Sequence, residues 1–229
     1  MGQYDNLPEP IRRTTNVFFV VDISAGMNGI KIAALNEALH NLIPELRSIA
    51  DDHIDTEIKI AVLTFSNTAE WICLPTNVED FQWQYLEPHG MRMFGAACEE
   101  LNTKLSRENE FMMKTHPYAP IIFLFTNGVP TDDYHESLIR LKKNNWFKVA
   151  TKVAIAIGDD ADVDALAEFT GNKEAVIKVH TPETLKKLIR FINPADGYDE
   201  IPLPDFFESE AFRAKIAEFL ASSENEGEW

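Results

Sequence analysis

The chain alternates short apolar runs with segments in which apolar residues recur every three or four positions. The run NVFFVVDI at 16–23 is almost entirely apolar, which is typical of a strand covered on both faces of a parallel sheet. A second run of this kind, APIIFLFTNG, lies at 119–128. Further strands are predicted at 56–66, 69–76, 148–158 and 174–179, the last of these at a sheet edge.

Helical spacing fills most of the segments between these runs. Residues 30–50 place apolar side chains on one face, and Pro44 inside this pattern predicts a kink or a break. Because strands separated by helices form βαβ crossovers, the predicted fold class is α/β: a doubly wound, mostly parallel sheet with helices on both faces. The turn residues Asn67 and Thr68 indicate a hairpin, which adds one antiparallel strand. Other helices are predicted at 95–109, 131–145 (capped by Thr131 or Asp132), 162–171 and 181–192.

The chain changes character near residue 194. We divide it into an N-terminal arm (1–14), the α/β domain (15–193) and an acidic C-terminal extension (194–229) with a short amphipathic helix. We expect the apolar stripe of this helix to pack on the α/β domain, and docking in the groove of a partner is the alternative. The stripe consists of Phe206, Phe207, Phe212, Ile216, Phe219 and Leu220.

Composition and charge narrow the function classes. The 229 residues are 45% apolar, enough to bury the core of one domain. A net charge of −16 repels phosphate backbones and anionic lipids, so neither nucleic acid nor a membrane is an expected partner. Cys73 and Cys98 lack C-x-x-C spacing and are expected to be reduced thiols, which indicates a cytoplasmic protein. No apolar run reaches membrane-spanning length.

Polar residues gather in three segments beside the predicted strands. They are 22–29 after the first strand (first loop), 89–95 before the second long helix (second loop) and 126–133 after the central strand (third loop). In a sheet of this class, ligands bind beyond the carboxyl ends of the strands, near the point where the strand order reverses. We expect the three loops to meet there and to form the functional site.

The three loops resemble those of a known family. DISAGM at 22–27, GMRMFGAA at 90–97 and FLFTNGVPTDD at 123–133 are similar to the metal-site loops of von Willebrand factor A (VWA) domains. The segment AIGDDADVDALAEFTG at 156–171 resembles one bacterial branch, the TerY-like proteins of tellurium-resistance systems. The resemblance covers residues 15–193 and does not include the C-terminal extension.

This resemblance implies a metal-ion-dependent adhesion site, where oxygen ligands hold Mg²⁺ and an acidic group of a partner completes its coordination. Asp22 and Ser24 match the family pattern, whereas Gly26 replaces a second Ser, Arg92 a Thr and Asn127 a second Asp. The family's two carboxylates supply a charge of −2, but Asp22 and Arg92 sum to zero. A guanidinium about 4 Å from Mg²⁺ would cost roughly 8 kcal/mol at an effective dielectric constant near 20.

We therefore predict a degenerate metal site in which Asp22 and Ser24 hold the guanidinium of Arg92, and no cofactor. One alternative is that Asp22 and Ser24 still bind Mg²⁺ weakly. Another is that Arg92 points to solvent while Asp22 caps the following helix. The surface expected to engage a partner carries Asp22, Ser24, Gly26, Met27, Arg92, Met93 and Asn127.

The predicted function is a non-catalytic protein-interaction module. The TerY-like resemblance implies a bacterial stress or defence system, with a protein kinase and a PP2C-type phosphatase as partners. The rival from another class is a haloacid-dehalogenase-type phosphatase, whose D-x-D-x-T loop uses two acids; here Ser24 stands at the second acid. The six histidines lack zinc-site spacing, and the acids at 159–164 lack that of a calcium loop.

Overall fold

The computed structural model describes residues 12–52, 56–105, 112, 117–192, 214 and 218–219. One sheet contains the strands β1 (Arg13–Asp22), β2 (Thr56–Phe65), β3 (Ala69–Asn77), β4 (Ile121–Thr126), β5 (Thr151–Ile157) and β6 (Val176–Val179). Their spatial order is β3-β2-β1-β4-β5-β6. The β2–β3 pair is antiparallel and the other pairs are parallel. The predicted fold class, with its hairpin strand, is confirmed.

The helices of the described residues are α1 (Ile30–Asp52), α2 (Phe94–Lys104), α3 (His135–Lys143), α4 (Asn145–Val149), α5 (Val163–Thr170) and α6 (Pro182–Ile192). Helix α1 continues through Pro44, so the chain does not break there. Pro44 is exposed, and burial of the opposite, apolar face holds the helix together despite the missing backbone donor. None of these helices is long and apolar enough to span a membrane.

The predicted cap of α3 is wrong. The helix begins at His135, and neither Thr131 nor Asp132 caps it. Asp132 instead accepts a hydrogen bond from the Gly95 backbone amide at 2.8 Å, in the first turn of α2. The carboxylate therefore satisfies a free amide at the start of a different helix, one that is distant in sequence.

Both faces of the sheet bury apolar side chains. Along β1, Phe19 and Val21 belong to the core on the face of α1 and α6, whereas Phe18 and Val20 belong to the core beneath α2, α3 and α5. Phe219 of the C-terminal extension is buried in the first of these cores, as expected of a tail that packs on the domain. The rest of the predicted stripe lies outside the described residues, as do residues 1–11 of the N-terminal arm.

The strand order reverses at β1. This strand lies between β2 and β4, and Val21 is paired with Phe125. The carboxyl ends of β1 and β4, at Asp22 and Thr126, are therefore side by side at the position where sheets of this class bind ligands.

Candidate functional site

The three loops meet at the carboxyl end of the sheet, which we call the loop face. The first and second loops are joined by two backbone hydrogen bonds: His89 N–H donates to the Ile23 carbonyl at 2.7 Å, and Ala25 N–H donates to the Gly90 carbonyl at 3.0 Å. The three loops therefore lie together, as the sequence predicted.

Arg92 connects all three loops through its side chain. Its Nε–H donates to Asp22 Oδ2 at 2.5 Å, its Nη2–H to Asn127 Oδ1 at 2.5 Å and its Nη1–H to the Val129 carbonyl at 3.0 Å. The backbone of Arg92 exchanges two further hydrogen bonds with Thr131. The side chain is only 13% exposed, so this is a partly buried, charge-assisted contact and not a mobile surface pair.

Two glycines leave room for the guanidinium. A Cβ placed on Gly128 would lie 2.7 Å from Arg92 Cζ, and a Cβ on Gly26 would lie 2.6 Å from Nη2. Real Cβ atoms do not approach this closely. A larger residue at either position would therefore push the Arg92 side chain away from its partners.

Asp22 is fully buried, and both of its oxygens accept hydrogen bonds. Oδ1 accepts from the Ser24 amide at 2.7 Å, and Oδ2 accepts from Arg92 and from the Thr126 hydroxyl at 2.6 Å. Asn127 in turn donates through Nδ2 to the Gly26 carbonyl at 2.5 Å. The carboxylate is compensated by one guanidinium and by neutral donors, so the pair carries no net charge.

Two parts of the predicted site are wrong. Ser24 does not hold the guanidinium: its hydroxyl is buried and makes no hydrogen bond. Met27 is fully buried in the core beneath α1, so it cannot present a side chain to a partner. The short helical turn at Ala25–Met27 turns this side chain inward, which its position next to the loop glycine did not reveal.

Sequence reasoning missed three apolar residues that are exposed on the loop face. Ile30, Met91 and Val129 are 65%, 55% and 58% exposed, and they come from α1 and from the second and third loops. Met91 adjoins Arg92, and Val129 supplies one of its acceptors. Met91 and Val129 are single apolar residues in loops and carry no periodic signal. The helical spacing of 30–50 instead assigned Ile30 to the apolar face of α1, but at the first residue of the helix its side chain is exposed.

A buried side chain of α1 fixes the segment that leads into the second loop. Asn36 donates to the Leu86 carbonyl at 3.0 Å and accepts from the Leu86 amide at 2.9 Å and the Trp83 indole at 3.1 Å. Arg47 of the same helix donates to the Val78 carbonyl at 2.9 Å. A polar residue among the apolar positions of a helix, as Asn36 is, was the one available signal for this clamp.

The phosphatase alternative does not fit the geometry of Asp22. A nucleophilic aspartate needs an oxygen that can reach the substrate, but Asp22 is fully buried and Arg92 covers one of its oxygens. Among the described residues, no group of three or more His, Cys, Asp or Glu side chains is placed to hold a metal ion.

Two other groups near the site have shifted protonation equilibria. Burial, followed by the negative charge of Asp132, raises the pKa of the Cys98 thiol in α2. Burial, followed by the charge of Asp162, raises the pKa of Tyr134. Both side chains are therefore neutral at physiological pH, and neither is an activated nucleophile.

Comparison with known families gives one match over most of the chain. The family profile described as von Willebrand factor type A domain matches residues 16–191. No protein of curated function matches the sequence significantly.

Solved structures share the fold at low sequence identity. Proximal thread matrix protein 1 from the mussel byssus, with a zinc-occupied MIDAS motif, matches with a TM-score of 0.59 and 14% identity, over 80% of this chain and 48% of its own. A von Willebrand factor type A protein from Catenulispora acidiphila matches with a TM-score of 0.56 and 17% identity, over 80% of this chain and 42% of its own. The pilus adhesin SpaC from Lactobacillus rhamnosus GG, in an open conformation, matches with a TM-score of 0.61 and 11% identity, over 82% of this chain and 30% of its own. This chain spans less than half the length of these proteins, and the likeness shows the fold alone.

Proposed function

Since the chain belongs to the von Willebrand factor type A domain family, we propose that it is a non-catalytic protein-interaction module that binds a protein partner through its loop face. Domains of this family commonly mediate protein interaction or adhesion. The observation that carries the proposal is the composition of the loop face: a guanidinium anchored at its centre, with exposed apolar side chains around it.

The apolar residues support a protein ligand. Ile30, Met91 and Val129 are each more than half exposed, although such side chains are usually buried. Interfaces place apolar anchors and arginines at their centres, within a polar rim. On the loop face that rim includes the exposed acids Glu87 and Asp133, so a partner with a complementary basic rim fits best.

We further propose that binding needs no metal ion, because Arg92 stands where relatives place the cation. Gly26, Arg92 and Asn127 replace the Ser, Thr and Asp of the family pattern. As arranged, the residues do not fit a divalent ion, because Arg92 Nε lies 2.5 Å from Asp22 Oδ2 and places a positive charge against the carboxylate. Partner capture should therefore be the same in EDTA as in magnesium.

The cellular setting belongs to the proposal as well. The resemblance to TerY-like proteins supports a bacterial stress or defence system, with a protein kinase and a PP2C-type phosphatase as the first partners to test. Two free cysteines, Cys73 and Cys98, support a cytoplasmic location.

Matched substitutions test the binding face. Met91→Asp and Val129→Asp should reduce capture of the partner at least tenfold, because each places a charge in the centre of the interface. Val149→Asp is the control, since Val149 is 52% exposed but lies just before β5, at the opposite end of the sheet. The readout is affinity enrichment of the kinase and the phosphatase, with and without EDTA.

Three results would count against the proposal. An equal loss of partner capture with Val149→Asp would indicate general instability. Unchanged capture with both Met91→Asp and Val129→Asp would show that the loop face is not the binding site. Loss in EDTA that magnesium reverses would favour the alternative, a magnesium-dependent adhesion module.

A further inference from the structure

The loop face retains a buried hydroxyl that Arg92 does not use. Ser24 is 2% exposed, and its hydroxyl has no hydrogen-bond partner although its own amide donates to Asp22. An unpaired buried hydroxyl costs free energy, so a native structure rarely keeps one without a reason. The same loop face carries the carboxylate of Asp22 and the amide oxygen of Asn127, both of which accept from Arg92.

Carboxylate, hydroxyl and amide oxygens are the donors that Mg²⁺ and Mn²⁺ prefer. Three such side chains, from Asp22, Ser24 and Asn127, belong to the first and third loops at the switch point of the sheet. With Arg92 in place their charge is balanced at zero. With Arg92 shortened, the same set carries −1, which favours a divalent cation.

We propose that the guanidinium of Arg92 blocks a divalent-cation site whose oxygen donors, from Asp22, Ser24 and Asn127, are still in place. Shortening this one side chain opens the site to Mg²⁺ or Mn²⁺. The inference deepens the proposed metal-independent binding and rests on it for its biological meaning, while the chemistry of the site is tested without any partner. Gly26 and Gly128 contribute to the same arrangement, because they leave the space that the guanidinium fills.

The test is a titration with MnCl₂ by calorimetry and by electron paramagnetic resonance of free Mn²⁺. Wild-type protein should bind none up to about 10 mM. Arg92→Thr should bind one Mn²⁺ per chain, and Arg92→Thr with Asn127→Asp should bind at least tenfold more tightly, because the site charge falls to −2. Arg92→Lys keeps the positive charge and should bind none, and Asp22→Asn in the Arg92→Thr chain should abolish binding.

Two outcomes would overturn the inference. One is micromolar Mn²⁺ binding by the wild-type chain that Asp22→Asn removes, since Arg92 would then be no barrier. The other is a folded Arg92→Thr, Asn127→Asp protein that binds no Mn²⁺. Neither outcome depends on the partner: wild-type capture in EDTA would still be measured independently, so failure of this inference and failure of the proposed function are distinguishable.

A second measurement covers the case in which the double variant does not fold. The urea midpoint of Arg92→Thr alone should rise in 10 mM MnCl₂, because a ligand that binds only the native state stabilises it by mass action. The midpoint of the wild type should not change. A rise of equal size in both proteins, or in neither, would contradict the proposal.

Gly128→Ala gives an independent measurement in the chain that still contains Arg92. Its new Cβ would lie 2.7 Å from Arg92 Cζ, so the guanidinium has to move and weak Mn²⁺ binding should appear. Added to Arg92→Thr, the same substitution should leave Mn²⁺ affinity within about twofold, because no guanidinium remains to be displaced. Absence of Mn²⁺ binding by a folded Gly128→Ala protein would show that the glycine does not serve this purpose.

Discussion

Replacing Asn36 with alanine should destabilise the domain more than the sequence pattern alone predicts. Asn36 is buried in α1, and its side-chain amide makes three hydrogen bonds to Leu86 and Trp83. The substitution leaves the amide and the carbonyl of the buried Leu86 without partners, and each such group costs about 1 to 3 kcal/mol. The Trp83 indole is half-buried and can reach water, so it adds little. We expect a loss of about 2 to 6 kcal/mol in the free energy of unfolding.

The assay is urea denaturation followed by tryptophan fluorescence, with thermal unfolding as a second measure. A loss near 3 kcal/mol lowers the melting temperature by about 6 to 12 °C in a domain of this size. Asn41→Ala is the matched control, because Asn41 is exposed on the same helix and gains the same helix propensity from alanine. If the two variants unfold within about 0.5 kcal/mol of each other, the clamp does not stabilise the segment that leads to Arg92, and the reasoning fails.

Three other substitutions or reactions test separate parts of the fold. Phe219→Ala should lower the free energy of unfolding by about 3 to 5 kcal/mol, because it leaves a cavity in the core, whereas the exposed Glu218→Ala should change it very little. Equal urea midpoints for the two variants would show that the C-terminal extension does not stabilise the domain. Pro44→Ala should raise the free energy of unfolding by about 1 to 3 kcal/mol, since it restores a helix donor without disturbing a buried contact, and an unchanged or lower midpoint would contradict this. Iodoacetamide should modify Cys73 in the native protein while Cys98 reacts only in urea, because burial raises the pKa of Cys98 and keeps its thiol protonated at pH 7 to 9; mass spectrometry of tryptic peptides decides this.

The sequence predicted the elements whose signals are local. The apolar runs that form β1 and β4 are covered on both faces, so their composition alone indicated central strands. Caps with short-range partners were also predictable: the Asp162 carboxylate accepts from the Ala165 amide at 3.0 Å, and Thr181 accepts from the Thr184 amide at 3.0 Å. In each case the interacting groups are three residues apart.

Contacts between distant segments could not be predicted in the same way. Asp132 caps α2 across 37 positions, although its place before α3 suggested a local cap. The Asn36 contacts with the second-loop segment span about 50 positions. Such partners depend on which elements the topology brings together, and a helical or strand period carries no information about that.

At the loop face, charge was more informative than ligand count. Asp22 is buried and needs a positive partner, and Arg92 provides one at 2.5 Å. The expectation for Ser24 rested on the family's ligand set instead, and there the structure differs: a guanidinium held edge-on by Asp22 and Asn127 leaves the Ser24 hydroxyl unpaired. Ligand lists assume a central ion that contacts all its donors, whereas a planar fork contacts only the acceptors that lie along its edges.

The residues at the site also form a consistent set, in both charge and volume. A single guanidinium can balance a single carboxylate, and the neutral Asn127 accepts from Arg92 without adding a second charge. An aspartate at 127 would leave one buried negative charge uncompensated, which is strongly destabilising. The missing side chains at Gly26 and Gly128 leave the volume that the guanidinium occupies. Asp22, Gly26, Asn127 and Gly128, four positions on the first and third loops, therefore all suit the guanidinium that Arg92 brings from the second loop.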